Sequence, residues 1–370
     1  MSERVGIAIV GAGTIFEEHA SAVAELSDRA RLVAVCDVDE RRLRAAASRH
    51  RIPVACSDHR RLLELDDVDL VVVCTPPNLH EPVVVEALRA GRRVVCEKPL
   101  AHSLEAADRI IDVALPLDGR LSVVHQFRYL PEVRRTVWLR DSGALGPLLF
   151  GRFHRFARFR RPGKPSRAGW WGRWDVAGGG VVMTQLIHEL DLMCHLFGEP
   201  VQAWGRVATL KEAIESEDAC VASVAFAGGA LCSCQATMSA HRSSAGFDVI
   251  GAEGSTHAPW AFECLDRSRR AELRDAALAA VPGPPPDDRS SAHLPYIAAV
   301  LDAVEAGRPL PIGPSEARRS LELATAIYAS SLGSEPIGLP IAPGDRLYRG
   351  VDRADYRAGP HLGREVVVGG

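Results

Sequence analysis

The first hundred residues alternate apolar runs with short amphipathic segments, and this alternation constrains the fold more than any other feature of the chain. Four runs rich in β-branched residues recur, namely "VGIAIV" (5–10), "RLVAVCD" (31–37), "DLVVVCTPP" (69–77) and "RRVVCEKP" (92–99). Helical patterns such as "DERRLRAAASRH" (39–50) and "EPVVVEALRAG" (81–91) separate them. Strands buried on both faces and joined by helices indicate an α/β domain with a doubly wound parallel sheet.

From about residue 122 the pattern changes to long strands with few intervening helices. Segments of this kind include "GRLSVVHQFRY", "VQAWGRVATL", "ACVASVAFAGGALCSCQATMSA" and "GFDVIGAEGST". They favour an α+β domain with a large, open-faced, mainly antiparallel sheet, whose exposed face predicts an oligomer. We therefore expect one domain over 1–121, a second over 122–343, and a polar C-terminal tail over 344–370. The tail is expected to be either disordered or ordered on a partner subunit.

Composition excludes several classes of protein. The chain has 370 residues, a net charge of −3 and 47% apolar residues, which favours neither nucleic acid nor an anionic membrane as a partner. No apolar run approaches the ~20 residues that span a bilayer. The start "MSERVGIAIVGAG" lacks the pattern of a signal peptide, and the nine cysteines have the positions of small buried residues. These features predict a cytoplasmic protein.

The segment "GAGTIF" (11–16) follows the first strand and opens the first helix. In that context glycines allow a tight turn and a close approach of the backbone to a pyrophosphate at the helix N-terminus. Phe16 stands where the dinucleotide fingerprint has its third glycine, so an ordinary glycine turn remains an alternative. The predicted cofactor contacts in this loop are Gly11, Gly13, Thr14 and Ile15.

Two further strand ends carry polar residues that suit a dinucleotide. Asp37 ends the second strand, where a carboxylate accepts hydrogen bonds from ribose hydroxyls and repels a 2′-phosphate. This favours NAD as the cofactor, with NADP less expected, although Asp37 could instead cap the next helix. The segment "TPPNLH" ends the third strand and predicts contacts to the nicotinamide half from Thr75, Pro76, Asn78 and His80, although His80 could simply start the next helix.

The segment "AGGGVVMTQLIHELDLMCHLFG" (177–198) runs from three glycines into a helix with two stripes. The apolar stripe contains Met183, Ile187, Leu190, Cys194 and Phe197. The second stripe contains Thr184, His188, Asp191 and His195. This second stripe could be a solvated face or hold a core histidine. It could bind a metal through three ligands, namely His188, either Asp191 or Cys194, and His195. It could also present His188 as a general acid/base, with Thr184 and Asp191 binding neighbouring hydroxyls of a substrate.

The chain resembles the Gfo/Idh/MocA oxidoreductases over about residues 5–342. The resemblance rests on "GAGTIFEEHA", "CTPPNLHEPVVVEALRAGRRVVCEKPLA", "GWWGRWDVAGGGVVMTQLIHELD" and "GRPLPIGPSEARRSLELATAIYASS". It implies an N-terminal Rossmann domain and a C-terminal domain for substrate binding and oligomerisation. It also implies oxidation or reduction of a secondary alcohol of a sugar or cyclitol with NAD(H) or NADP(H). From the open sheet we expect a homodimer or homotetramer, and we expect no metal in the site.

Residue roles follow from the same resemblance. Lys98, in the Glu97-Lys98-Pro99 signature, would contact the reacting hydroxyl and the nicotinamide ribose, and His188 would be the acid/base. Gln126 would lie near the nicotinamide, and Arg128 and Asp191 would line the substrate pocket. Glu97 is expected to set the position of Lys98 and to lie beside the cofactor.

The chain departs from the family pattern at two positions before His188. The family often has Asp four residues earlier and Gly two residues earlier, where this chain has Thr184 and Leu186. "MTQLIHELD" is closer to a subset that often acts on amino sugars or nucleotide-linked uronic acids, so the likeness to inositol dehydrogenases is weaker. Two other functions stay open, an NAD-dependent glycosidase that oxidises its substrate transiently and a non-catalytic dinucleotide sensor.

A basic cluster, "GRFHRFARFRRPGKPSRAGWWGR" (151–173), precedes the glycine triplet. Such a run is usually a solvated strand and loop. Its place next to the predicted helix suggests a lid that binds a phosphate or carboxylate of the substrate, with Arg160 as the test position.

Overall fold

A computed structural model of the chain describes residues 4–117, 119–158, 170–211, 214–283 and 292–358. The described residues form two compact units. The first unit takes its residues from Met1–Ala101, Glu105–Gln126 and Asp288–Arg318, and the second takes its residues from His102–Leu104, Phe127–Asp287 and Arg319–Gly370.

The strands in chain order are β1 (Val5–Val10), β2 (Ala30–Cys36), β3 (Val54–Cys56), β4 (Leu70–Val73), β5 (Arg93–Cys96), β6 (Leu121–Val123), β7 (Leu148–Arg158), β8 (Pro200–Ala208), β9 (Ala219–Phe226), β10 (Leu231–Ala240), β11 (Ser244–Gly251), β12 (Gly254–His257), β13 (Ala261–Cys264) and β14 (Ile337–Gly338). The α-helices are α1 (Phe16–Glu25), α2 (Glu40–His50), α3 (Arg60–Leu63), α4 (His80–Arg89), α5 (Leu104–Ala114), α6 (Pro131–Asp141), α7 (Trp174–Ala177), α8 (Ile187–Phe197), α9 (Arg270–Ala280), α10 (His293–Glu305), α11 (Pro314–Gly333) and α12 (Arg353–Ala358). None of these described helices is both long enough and apolar enough to cross a bilayer.

The first unit contains the predicted parallel sheet. Its described strands are ordered β3-β2-β1-β4-β5-β6, and every pair is parallel. All residues of β1 and β4 are buried, as expected for strands covered on both faces. The strand order reverses between β1 and β4, and in such sheets ligands bind at the carboxyl ends of the strands beside the reversal.

The division of the chain differs from the predicted boundary at residue 121. Part of "GRLSVVHQFRY" is β6, which pairs with β5 in the parallel sheet, so the first unit extends to Gln126. The chain also returns to this unit late, because α10 packs against α1 and Arg29 donates to Asp302 and Glu305 at 2.7–2.9 Å. A boundary drawn from local pattern could not detect this long-range return.

The second unit contains the predicted open sheet. Its described strands are ordered β13-β12-β11-β7-β10-β9-β8-β14, and all pairs are antiparallel except β7 with β10. Side chains alternate between a covered and an open face. Phe153, Cys232 and Cys234 lie on the covered face and are buried. The open face is exposed across adjacent strands, where Leu231, Phe150 and Ile250 are in register.

The segment predicted as a polar tail is partly folded. Residues 346–349 form a 3-10 turn and α12 follows. Leu347, Tyr348, Val351 and Tyr356 are buried, and the Tyr356 hydroxyl is 3.0 Å from Thr209 Oγ1. The irregular spacing of these four apolar residues gives no periodic signal, which is why the sequence predicted a tail. Residues 359–370 lie outside the described part of the chain.

Candidate active site

The glycine loop between β1 and α1 has the backbone that the sequence predicts. Gly11 has a φ of +104°, and a Cβ there would lie 2.6 Å from the carbonyl oxygen of Cys74, so packing and backbone both require glycine. A Cβ at Gly13 would meet nothing within 4 Å. Thr14 is exposed, and Ile15 precedes α1 without a side-chain cap on the helix amides. The loop therefore leaves open space and helix N–H groups beside Gly13, which suits a pyrophosphate.

Asp37 is half-buried at the end of β2 and holds the glycine loop. Its Oδ2 accepts from the Ala12 amide at 2.7 Å, and its Oδ1 accepts from the Asp39 amide at 2.8 Å. Asp39, rather than Asp37, caps α2, because it accepts from the amides of Arg41 and Arg42. The helix-cap alternative for Asp37 is thus wrong, while each carboxylate oxygen retains lone-pair capacity for a ribose hydroxyl.

The segment after β4 carries buried polar atoms that the described residues do not satisfy. Thr75 Oγ1 and Asn78 Oδ1 have no hydrogen-bond partner among them, and the same holds for Oε1 of the buried Gln126. Pro76 is half-buried with extended ψ, and it starts the turn Pro77–Leu79. Burying an unpaired polar atom costs about 1–3 kcal/mol, so these three atoms fit a dinucleotide that hydrogen-bonds to them.

His80 has a different role from the predicted cofactor contact. It is 1% exposed, and its Nδ1 and Nε2 each lie 2.9 Å from a backbone carbonyl oxygen, of Pro99 and Thr75 respectively. Burial lowers the pKa of His80 against the opposing effect of these carbonyls. The neutral ring donates to one of these carbonyls, and both of its nitrogens face the backbone, so His80 lies between the end of β4 and the turn after Lys98 with no nitrogen turned to a ligand.

Glu97 is buried at the end of β5 between two histidines. Its Oε1 lies 2.8 Å from His19 Nε2 and 3.7 Å from His293 Nε2. Burial opposes ionisation, but the hydrogen bonds of His19 and His293 outweigh it and hold the pKa of Glu97 below its usual range. Oε2 accepts from the Lys98 amide at 3.1 Å. Glu97 thus fixes the backbone of the half-buried Lys98, as predicted, and its carboxylate faces histidines rather than open space.

His19, Glu97 and His293 are also the one group in the described ranges whose ligand atoms lie close enough for a metal ion, within 4.8 Å of one another. An ionised carboxylate that accepts from a neutral imidazole is already satisfied without an ion. The set of His188, Asp191 or Cys194, and His195 does not form such a group within the described residues.

The three glycines before α8 are all required by close packing. A Cβ on Gly178 would overlap the carbonyl oxygen of His102, and one on Gly179 would overlap the Tyr328 hydroxyl. A Cβ on Gly180 would overlap the carbonyl oxygen of Glu217. The π-helical turn Val182–Leu186 follows and leads into α8, and Thr184 Oγ1 donates to the Gly180 carbonyl at 2.7 Å. The predicted substrate residue Thr184 therefore has its hydroxyl engaged by the turn.

The polar stripe of α8 is inside the second unit, so its interpretation as a solvated face is wrong. Every residue from Ile187 to Cys194 is buried, and the two ends of the stripe, Thr184 and His195, are half-buried. His188 is 4% exposed and stacks on Phe127, with ring centroids 4.1 Å apart and planes at 21°. Arg155 lies over Phe127 at 5.1 Å and 3.9 Å from Glu189 Oε1.

The predicted substrate residues Arg128 and Asp191 are brought together. Arg128 Nε donates to Asp191 Oδ2 at 2.7 Å, and Nη2 donates to Oδ1 at 2.6 Å. Both side chains are buried, with exposed fractions of 7% and 2%. A planar fork of this kind recognises a carboxylate with two parallel bonds, and here the carboxylate belongs to the protein.

Two family descriptions match most of the chain. Residues 5–125 match the oxidoreductase family with an NAD-binding Rossmann fold, and residues 133–257 match the GFO/IDH/MocA C-terminal domain. This chain belongs to the Gfo/Idh/MocA oxidoreductase family. The family assignment confirms the resemblance drawn from its motifs.

Several proteins similar to this chain have named activities. Inositol 2-dehydrogenase of Rubrobacter xylanophilus is 31% identical over 70% of this chain and 72% of its own length. Inositol 2-dehydrogenase 4 of Saccharopolyspora erythraea is 34% identical, but the match spans only 55% of this chain and 57% of that protein. The WlbA dehydrogenase from Bordetella pertussis, solved with NADH and UDP-GlcNAcA, is 26% identical with a TM-score of 0.79, covering 92% of this chain and 99% of that one.

Sequence reasoning about this Gfo/Idh/MocA member missed Glu217 and Tyr328. Glu217 is fully buried, and burial raises its pKa to about 7. Its carboxylate accepts from the amides of Gly180 and Val182 and from the Tyr328 hydroxyl. The available signal was the acidic segment "ESED" (215–218) directly before β9, which resembles an ordinary solvated loop.

The basic cluster is only partly described. Arg152 pairs with Asp248 at 2.6 Å, and Arg173 pairs with Asp175 at 2.6 Å. Arg160, the predicted phosphate or carboxylate contact, lies outside the described residues.

Proposed function

We propose that this family member is an NAD-dependent dehydrogenase or ketoreductase acting on a secondary alcohol or ketone of a sugar, amino sugar, nucleotide-linked sugar or cyclitol. The observation that carries the proposal is the set of unsatisfied buried atoms Thr75 Oγ1, Asn78 Oδ1 and Gln126 Oε1 on the dinucleotide fold. With the open space at Gly13, they fit a bound nicotinamide dinucleotide. The nicotinamide dinucleotide, when bound, would supply the hydride acceptor for the carbinol carbon.

The chain's own residues would handle the charge and the proton of that carbinol. Lys98 and His188 would both act on the reacting hydroxyl. The ammonium of Lys98 stabilises the negative charge that develops on the oxygen, and the imidazole of His188 takes the hydroxyl proton. In the reducing direction, His188 returns the proton to that oxygen.

The preference for NAD rests on Asp37. Its half-buried carboxylate lies at the end of β2, where the adenosine ribose is expected, and it is held there by the Ala12 and Asp39 amides. A 2′-phosphate would be repelled by this charge. The NADH complex of the WlbA dehydrogenase supports the same choice.

The proposed substrate class includes nucleotide-linked and amino sugars ahead of free inositol. Thr184 stands where the family often has an acid, and its hydroxyl is bonded to the Gly180 carbonyl, so the hydroxyl-binding carboxylate of that position is missing. The UDP-GlcNAcA complex of the WlbA dehydrogenase supports a nucleotide-linked substrate, while the inositol 2-dehydrogenases support a cyclitol.

A substrate panel tests the proposal. Sugars, uronic acids, inositols and UDP-linked sugars are incubated with NAD+ or NADP+, and reduced cofactor is followed by absorbance. We expect steady NADH accumulation with at least one alcohol, a preference for NAD+, and a loss of about 100-fold or more in H188N. Glycoside cleavage without NADH accumulation would indicate the glycosidase, and cofactor binding without turnover of any class would contradict the proposal.

The outer face of the second sheet supports a homo-oligomer. Leu231, Phe150 and Ile250 lie side by side and are 56%, 41% and 39% exposed, with Trp204 at 44% and Val221 at 55% on the neighbouring strands. Exposed apolar side chains grouped on one sheet face are costly in water. We propose that a second copy of the chain covers it.

A further inference from the structure

The buried side chain of Glu217 makes several hydrogen bonds with the turn before α8. Its Oε1 accepts from the amides of Gly180 at 2.9 Å and Val182 at 3.0 Å, and from the Tyr328 hydroxyl at 2.7 Å. Its Oε2 lies 2.8 Å from the Gly180 amide, and its own carbonyl accepts from the Val181 amide at 3.0 Å. A buried carboxylate is thus surrounded by backbone and hydroxyl donors.

Glu215 and Ser216, which precede Glu217, also bond to the segment that leads into the glycine turn. The Trp174 amide donates to Glu215 Oε1 at 2.8 Å, and the Ser216 hydroxyl donates to the Gly172 carbonyl at 3.1 Å. The absence of side chains on Gly179 and Gly180 is what lets the Tyr328 hydroxyl and the Glu217 backbone approach. The turn therefore has little freedom to move while Glu217 accepts from its amides.

We propose that Glu217 is a positioning residue that sets the start of α8, and with it the place of His188, and that it does so as a carboxylate. This inference rests on the function proposed above, because His188 is the acid/base of that function. His188 lies in the first turn of α8, two residues after the π-helical turn whose amides Glu217 holds. Glu217 itself touches neither substrate nor cofactor in this account.

A proton on Glu217 would weaken the attachment. A protonated carboxyl group carries no charge and accepts the Gly180 and Val182 N–H groups less strongly than a carboxylate does. Glu217 raises the pKa of Tyr328, Tyr356 and Cys220, so these are titratable groups close to it among the described residues. Burial accordingly raises the pKa of Glu217 to about 7, so its charge would change near neutral pH.

Two measurements on E217Q test the proposal, with D218N as the matched control. Asp218 is buried one residue further on, but its carboxylate accepts from the Leu210 and Lys211 amides instead of the glycine turn. The first measurement is the NMR shift and titration of the His188 ring, assigned with H188N. The second is the pH dependence of kcat/KM together with NADH affinity.

We expect the His188 resonance to move in E217Q and not in D218N. We expect E217Q to lose about 10-fold or more in kcat, with NADH affinity changed less than about 2-fold, and to show an acid limb one proton less steep than that of the wild type. An unchanged His188 resonance and an unchanged pH profile in E217Q would overturn the proposal.

The outcome separates this inference from the proposed function. If the wild type turns over no substrate but the His188 ring still responds to E217Q alone, the positioning role stands and the proposed function fails. If E217Q does not fold, Y328F removes one donor to Glu217 and leaves the carboxylate in place. A smaller shift of the His188 resonance in Y328F would then support the proposal, and no shift would overturn it.

Discussion

Arg128 and Asp191 hold each other by two hydrogen bonds of 2.7 and 2.6 Å in a site from which water is nearly excluded. Removing one charge would leave the other buried without its partner. We predict that D191N lowers the free energy of unfolding by about 3–5 kcal/mol, measured by urea denaturation. Turnover of any substrate found in the panel should fall as well, since both residues are proposed to line its pocket.

A pair of the same geometry but higher exposure provides the control. Arg109 donates to both oxygens of Glu81 at 2.6 and 2.8 Å, and the two side chains are 49% and 25% exposed. E81Q should cost less than about 1 kcal/mol, because water compensates the lost pair. Equal costs for D191N and E81Q would mean that burial of the Arg128–Asp191 pair has been overstated.

The packing of the glycine triplet predicts a severe effect of one methyl group. A Cβ on Gly180 overlaps the carbonyl oxygen of Glu217, a backbone atom that cannot turn aside. G180A should lower the free energy of unfolding by about 3 kcal/mol. Gly228 is the control, because a Cβ there meets nothing within 4 Å, and G228A should unfold at nearly the wild-type urea concentration. A stable, active G180A protein would refute this packing.

The raised pKa of Glu217 predicts a pH-dependent stability. Its pKa is about 7 in the folded chain and 4.5 when unperturbed, so between these values the native state binds the additional proton. The contribution of Glu217 to the free energy of unfolding is therefore complete below pH 4.5 and is lost as the pH rises through about 7. The free energy of unfolding falls over this range by no more than about 1.4 kcal/mol per pH unit. Subtracting the E217Q curve from the wild-type curve isolates this slope, and a difference that is constant with pH would be inconsistent with it.

The open face of the second sheet predicts a change in assembly. L231E places a charge beside Phe150 in the row that Leu231 forms with Phe150 and Ile250, and it should convert the oligomer to a monomer by sedimentation or light scattering. L115E is the control, since Leu115 is 64% exposed and does not belong to this sheet. A wild-type monomer, or an L231E protein that still assembles, would contradict the proposed interface.

Local pattern was sufficient to predict the sheets, and it drew attention to several candidate site residues. Continuous apolar runs distinguish β1 and β4 as doubly buried strands, and alternation distinguishes β8 to β10 as half-exposed ones. The glycine loop, Asp37, Lys98 and the α8 stripe were visible because strand ends and helical spacing mark them. The sequence analysis named both Arg128 and Asp191 as candidate substrate residues, but it did not predict that they pair with each other.

Contacts between residues distant in sequence account for the structural features that the sequence did not predict. His19 and His293 meet Glu97 from positions 78 residues before it and 196 residues after it, and no local signal links them. In the sequence, Glu217 has the pattern of a solvated acidic loop. Only the structure shows that the glycine turn packs around it. The sequence placed His80 beside a cofactor because it follows a strand end. It could not show that both ring nitrogens face backbone carbonyls.

Single-turnover hydride transfer in wild type, K98M, H188N and the double variant tests the central claim most directly. If Lys98 and His188 act on one carbinol, each single change should slow NADH formation by about 100-fold or more, and the double change should cost clearly less than the product of the two, while NADH binding is retained. Transfer at the wild-type rate in either single variant, with cofactor binding intact, would contradict the account.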